Sequence, residues 1–227
     1  MTRAGNEVYD GPSDLAAVVP LFPLPGVLLL PRRVLPLNIF EPRYLAMIEA
    51  AFAGDRLIGM IQPRVDLGRS TMPSRPPLEA VGCVGRLTQY AETGDGRLTV
   101  ALTGIARFRL VEELATTTPW RLAQIDTSDF VGDFEAGRGE AAVDRAAVLA
   151  ALDAWLAVHA PQVDRAPFAE ATNEALVDGL AMMSPCGPRE KQALLEAPDP
   201  ASRAELLIAV TERALAETGD GAGRPLQ

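Results

Sequence analysis

Lysine and histidine are nearly missing from this chain. Its 227 residues include 21 Lys+Arg, of which Lys191 is the one lysine, and a single histidine, His159. A mechanism built on a histidine base, a Schiff-base lysine or a phosphate-gripping lysine therefore has one residue to draw on. Cysteine is equally scarce: Cys83 and Cys186 stand far apart with no CxxC, so neither a zinc ribbon nor a disulfide framework can be built, and a reduced, cytoplasmic setting is the simplest reading. Positive charge is outnumbered by 30 Asp+Glu, for a formal net charge of -9 and a pI near 4.7. That balance is the reverse of a nucleic-acid binder's footprint and argues against DNA or RNA as principal partner. Unbroken apolar runs are missing too. The stretch from Leu15 to Pro31 carries no charge, but Pro20, Pro23, Pro25 and Pro31 would break a spanning helix repeatedly, so no membrane span is expected. The residues before it hold Glu7, Asp10 and Asp14 against Arg3, unlike the basic start of a secretion signal.

The motifs of the common enzyme classes are absent as well. No GxxxxGK[ST] loop cradles a phosphate, and Lys191 lies in PREKQ without the glycines. Neither GxSxG nor SxxK supplies an activated serine, and there is no HExxH, no EF-hand loop and no GxGxxG after a strand. His159 falls at the end of an apolar helix next to Pro161, where an imidazole suits the negative helix terminus better than it suits a base with no partner. Glu112 and Glu113 are neighbours on a strand, so they point to opposite faces and form no catalytic pair. The expectation is a chain with no catalytic residue, no cofactor and no metal.

What is present is a hydrophobic content of 48% with 22% charged residues, enough for an ordinary buried core. As far as residue 134 the sequence reads as strands. Leu98, Val100 and Leu102 alternate with Thr99 and Ala101, and Phe108 and Leu110 alternate with Arg107 and Arg109. TGDG at 93–96 predicts a hairpin turn between strands 81–91 and 97–103. Further strands are predicted at 26–30, 34–38, 56–61 and 120–126, and one helix opens at Pro42 and closes before Gly54. Beyond residue 134 the period becomes helical: Val148, Leu152, Trp155 and Leu156 share one face, as do Leu176, Leu180 and Met183. Ser184-Pro185 and Asp199-Pro200 predict two more helix starts, the second helix ending near Glu217 and Gly219. The fold class is therefore α+β, divided into an N-terminal extension 1–17, a β-rich part 18–134 with one helix, a helical part 135–218, and a flexible tail 219–227. Charge divides with it: residues 1–134 hold 13 Lys+Arg and 15 Asp+Glu, whereas 135–227 hold 8 and 15.

The most distinctive stretch runs from Val19 to Ala46. Its prolines keep the chain extended and forbid ladder bonds, which predicts an irregular edge strand rather than a central one. Arg32 and Arg33 follow Pro31 and mark a turn. Glu41, before Pro42, either anchors a partner in a groove or stabilises the helix start and pairs with Arg107 or Arg109. Arg32, Arg33, Glu41, Arg43 and Tyr44 are the candidate binding residues.

Five blocks in order, LFPLPGVLLLP, LPLNIFEPRYLAMI, GDRLIGMIQP, VGCVGRL and LTGIARFRL, with KQALLEAPDPASRAELL further on, resemble the N-terminal substrate-binding domain of the Lon protease. The resemblance spans about Val18 to Glu217. It implies a PUA-like β-barrel subdomain followed by an α-helical bundle, and binding of exposed apolar or unfolded polypeptide without cleavage, since the ATPase and serine-lysine peptidase motifs of full-length Lon are not found. A second possibility is an adaptor or regulator that docks onto Lon or another proteolytic machine through its own LON-like surface. RNA binding by analogy to other PUA-like domains runs against the net charge of -9.

Overall fold

The computed structural model describes residues 1–64 and 75–221. Its strands are β1 (Thr2–Ala4), β2 (Glu7–Tyr9), β3 (Val18–Pro23), β4 (Val34–Ile39), β5 (Leu57–Pro63), β6 (Leu78–Glu92), β7 (Leu98–Leu114) and β8 (Arg121–Asp126). The helices are α1 (Pro42–Ala53), α2 (Arg145–His159), α3 (Ala166–Glu170), α4 (Asn173–Met183), α5 (Pro188–Glu196) and α6 (Pro200–Gly221). Two compact units result, Met1–Ala136 and Gly137–Gln227.

In the first unit the hairpin organises the sheet. β6 and β7 pair antiparallel from Val81↔Arg109 to Glu92↔Leu98, turning where Gly94 and Gly96 both take φ +82°, a conformation that costs glycine little. The free side of β7 is then shared. β4 pairs its first part, Leu98 to Thr103, and β8 pairs its last part, Arg109 to Leu114. β8 also pairs β3, β3 runs parallel to β5, and β5 pairs β6, so the strands close on themselves as a barrel. Phe108, Leu21, Ile105 and Phe134 fill its core.

The proline-rich stretch divides differently from the expected single edge strand. β4 is an edge strand, but β3 is internal, because its two prolines stand where their missing N–H does little harm: the Ile125 N–H on the Ala17 carbonyl turns the main chain of Val19 and Leu21 toward β8 and that of Pro20 toward β5, whose register starts only at Leu21 and ends at Pro23. Residues 26–30, expected as a strand, are an irregular crossing segment instead. It is held by the Leu24 N–H on the Ile61 carbonyl at 3.1 Å and the Gly26 N–H on Gln62 Oε1 at 2.8 Å, and it buries Leu28, Leu29 and Leu30. The N-terminal residues pack on the barrel. Ala4 and Tyr9 of the β1–β2 hairpin belong to the barrel core, and Thr2 Oγ1 donates to the Asp133 carbonyl at 3.2 Å.

The second unit is helical, as its period predicts. Val148, Leu176, Val177 and Ala204 form its core. Asp144 accepts the Ala147 N–H at 3.0 Å, Thr172 the Ala175 N–H at 3.2 Å, and Asp199 the Ser202 N–H at 2.8 Å, so α2, α4 and α6 each begin on a side-chain cap worth about 1 kcal/mol. Pro185 opens no helix. α5 starts three residues later, at Pro188 behind Gly187, because Ser184 turns back to bond the Ala181 carbonyl at 3.0 Å and caps the end of α4 instead. α6 continues past Gly219 to Gly221, and most of the expected tail, 222–227, lies outside the described residues.

Candidate functional site

The five residues singled out in the sequence fall into two groups with different jobs. Arg32 adopts φ +63°, rare outside glycine, and is fixed from several sides. Its N–H meets the Gly104 carbonyl at 2.8 Å, and its guanidinium donates to Thr2 Oγ1 at 3.1 Å and to the Asp133 carbonyl. Arg33 continues the same crossing: its carbonyl accepts from the Gly104 N–H at 2.9 Å, while its Nε is buried without a partner. Glu41 precedes α1, yet its side chain makes no capping bond; it pairs with Arg43 at 2.8 Å, both side chains being exposed to solvent. Arg43 lies 4.4 Å over the Tyr44 ring, and Tyr44, only 5% exposed, packs against Phe22 with ring centroids 4.2 Å apart. Burial pushes the Tyr44 phenol above its ordinary range. Tyr44 is thus a core residue with its neighbour stacked on top.

The pairing expected between Glu41 and Arg107 or Arg109 does not form. Arg109 pairs with Asp129. Arg107 belongs to Asp133, whose carboxylate accepts from its Nε at 2.9 Å, from its Nη2 at 2.7 Å and from its backbone N–H at 2.9 Å. Both side chains are under a tenth exposed, and Phe130 lies 4.8 Å beneath the guanidinium. Asp133 sits on a 3-10 helix, Ser128–Phe134, far from Arg107 in sequence, and nothing in the local pattern marks it.

A surface suited to a partner lies along β4. Since the Gly104 N–H bonds the Arg33 carbonyl, alternation places the main-chain groups of Leu35, Leu37 and Ile39 toward β7 and those of Val34, Pro36 and Asn38 toward the open side. Among the described residues no strand pairs with that side. Pro36 thus has its nitrogen on the open edge, where a missing donor breaks no ladder. Val34 at 53% exposure and Phe40 at 63% bracket the edge, with the Arg97 guanidinium 6.0 Å from the Phe40 ring.

The helical unit holds an apolar groove of about 470 Å³ walled by α2, α6 and the α4–α5 connection. Leu152, Trp155, Leu156, Leu180 and Met183, legible in the sequence as helix faces, line it, and Met183 is 66% exposed at its rim. Lys191, 3% exposed, donates to the Ala181 carbonyl at 2.8 Å and the Met182 carbonyl at 2.7 Å beside this groove. Desolvation lowers its pKa, an effect partly offset by the nearby Cys186. Among the described residues no three His, Cys, Asp or Glu side chains are placed to hold a metal ion, and no helix is long and apolar enough to cross a membrane. Of the buried carboxylates, Asp133 and Asp178 are each engaged by an arginine, and Glu174 accepts the Gly137 N–H at 3.2 Å. The arrangement offers an edge and a groove for binding.

Residues 18–213 match the family model of the ATP-dependent protease La (LON) substrate-binding domain. The chain belongs to that family. Lon protease 2 of Sorangium cellulosum is 30% identical over 220 residues, which cover 90% of this chain and 26% of the relative. Lon protease 2 of Myxococcus xanthus is 30% identical over 113 residues, 50% of this chain and 13% of the relative. The chain therefore spans about a quarter or less of these relatives. Two solved structures share the fold. The Lon N-terminal domain protein from Xanthomonas campestris superposes with a TM-score of 0.56 at 21% identity, and the N-terminal domain of Mycobacterium avium complex Lon protease with 0.59 at 19%; each alignment covers 86% of this chain and 98% of the other. The α+β architecture of a β-rich part followed by helices, inferred from the sequence, is the architecture of this LON domain.

Proposed function

We propose that this chain is a non-catalytic module that binds exposed apolar or unfolded polypeptide, and that the open edge of β4 is where an extended segment docks. The observation that carries the reading is the edge itself: a strand paired on one side only, bracketed by Val34 and Phe40, in a member of a substrate-binding family. An added strand gains main-chain hydrogen bonds along β4 whatever its sequence, and the flanking apolar side chains favour segments that carry their own. Pro36 removes one donor and keeps the edge from pairing indiscriminately. The five residues named from the sequence enter this proposal unequally. Glu41 and Arg43 lie just past Phe40 and flank the edge, whereas Arg32, Arg33 and Tyr44 hold its framework.

Titrating a fluorescent protein in its unfolded and folded forms tests the reading. Preference for the unfolded form, weakened at least tenfold by Val34→Asp with Phe40→Asp, is the expected result. Equal binding of both forms, or binding indifferent to the two substitutions, would refute it. The purified chain should also leave ATP and casein intact. If it ignored unfolded protein yet co-purified with an added Lon protease, the adaptor role would replace the one proposed.

A further inference from the structure

The groove of the helical unit differs from the β4 edge in a way that determines what it can hold. Most of its wall is helix, whose main-chain groups are bonded within themselves; Ala160, Val163 and the connection from Ser184 to Gly187 are the non-helical part. Two helix C-terminal ends reach it: at that of α4 the Ala181 carbonyl accepts from Lys191 and from the Ser184 hydroxyl and the Met182 carbonyl from Lys191, and at that of α2 the Leu156 carbonyl accepts from the Ala160 N–H and the Ala160 carbonyl from the Val163 N–H. An extended segment entering this groove would leave most of its own N–H and C=O groups unpaired against apolar side chains, each bearing the desolvation penalty of a buried polar group. A helix satisfies its main chain internally and carries no such penalty. The lining suits the apolar stripe of such a helix: Leu152, Trp155, Leu180 and Val210 supply fixed surface, and Met183 at the rim can adapt.

Charge selects the other face of the occupant. The only charged side chains among the lining residues are Arg213 and Glu217. Arg213 also donates to Glu190 at 2.6 Å and lies 3.7 Å from Glu217, while Arg189 stands near Glu190, so the signs balance at this end and the excess lies in the rest of the unit. Around them residues 135–227 hold 15 Asp+Glu against 8 Lys+Arg. We infer that this groove receives an amphipathic helix with an apolar stripe and a basic opposite face, presented by a partner polypeptide. The inference shares with the proposed function the premise that the chain binds polypeptide, but it uses a different surface and a different partner conformation.

The test uses labelled peptides of about 18 residues, long enough for some five helical turns. The first has a leucine stripe and a lysine face, the second replaces lysine by glutamate, and the third carries two central prolines in the lysine version. Fluorescence anisotropy with the full chain should show the Leu–Lys helix bound at least tenfold tighter than either of the others, with affinity falling as salt is raised. Met183→Ser and Ala214→Phe, the one removing rim contact and the other filling the groove, change no charge. Each should weaken the Leu–Lys peptide at least tenfold, with the far-ultraviolet circular dichroism of the parent retained. Val34→Asp with Phe40→Asp should leave it unchanged. Equal binding of the proline-containing peptide, or indifference to both groove substitutions, would overturn the inference. If the Leu–Lys helix fails to bind while unfolded protein is still captured at β4, only the groove assignment falls.

Discussion

Gly104→Ala tests how the crossing segment 24–33 is held against the barrel. A Cβ built on Gly104 would stand 2.1 Å from the Leu30 carbonyl oxygen, 2.8 Å from its carbon and 3.3 Å from Pro31 Cα, all backbone atoms that no rotamer change can move aside. The segment must therefore lift by more than 1 Å to regain ordinary contact. Lifting it stretches both bonds of the clamp, Arg32 N–H to Gly104 O at 2.8 Å and Gly104 N–H to Arg33 O at 2.9 Å, each worth about 1 kcal/mol. It also disturbs the seating of Leu28, Leu29 and Leu30, for which overpacking of a core costs about 1–3 kcal/mol. The expected loss is about 3–5 kcal/mol from the first unit. Urea unfolding followed by Trp120 fluorescence, in a Trp155→Phe background, reads that unit alone. Gly179→Ala in α4 is the opposite case: its Cβ would meet nothing within 4 Å, so the change should stabilise the helical unit by about 0.5–1 kcal/mol. A Gly104→Ala midpoint within about 1 kcal/mol of the parent would refute the account of the crossing.

Asp133→Ala leaves the Arg107 guanidinium buried without its carboxylate and should cost about 3–5 kcal/mol by the same urea assay, whereas a joint Arg107→Met, Asp133→Leu replacement should recover much of that loss. Glu41→Ala should change stability by less than about 0.5 kcal/mol, since the side chain caps nothing and its one partner is exposed; a loss above 1 kcal/mol would mean that it stabilises the α1 start in some other way. Glu113 is bonded by Arg121 first and Arg75 second, which holds its carboxyl below the ordinary 4.5. Between the lowered folded value and 4.5 the unfolded chain binds more protons, so the contribution is fully present above pH 4.5 and is lost as pH falls through the folded value. Glu113→Gln should therefore flatten the acid limb of the stability profile, and an unchanged limb would contradict the assignment.

The sequence revealed the elements better than it revealed their neighbours. The hairpin at TGDG, the α1 start at Pro42 and the faces of α2 and α4 rest on local rules of turn chemistry and period, and they were legible. The path of β3 was not, because proline's effect on a strand depends on which side is paired at that residue, and pairing is a long-range fact. Arg107 and Asp133 likewise meet only when β7 and the Ser128–Phe134 helix are brought together. Ser184-Pro185 misled because two local rules compete there: the same hydroxyl can open a helix or close the preceding one, and the distance back to Ala181 settled it. The groove was visible only in part, as apolar positions on α2 and α4; that they would not all be consumed in packing depends on how α6 lies against them.

The shortage of lysine also has structural consequences. Arginine's planar fork serves where two or three bonds must leave in fixed directions, as from Arg107 to Asp133 and from Arg203 to Asp178 and the Leu194 carbonyl. Lys191 serves where one small cation must reach two adjacent carbonyls in a buried corner. In the helical unit these uses differ in what they do to charge. The Arg203–Asp178 pair removes one charge of each sign from the surface, but Lys191 is spent on carbonyls, and Arg145 on the carbonyls of Phe168 and Ala169 and on Asn173. These two cations bond no carboxylate in the contacts described. Their charges still count in the balance of 15 Asp+Glu against 8 Lys+Arg, so the acidic excess of residues 135–227 is that of the composition, with Lys191 and Arg203 withdrawn from the surface that a partner meets.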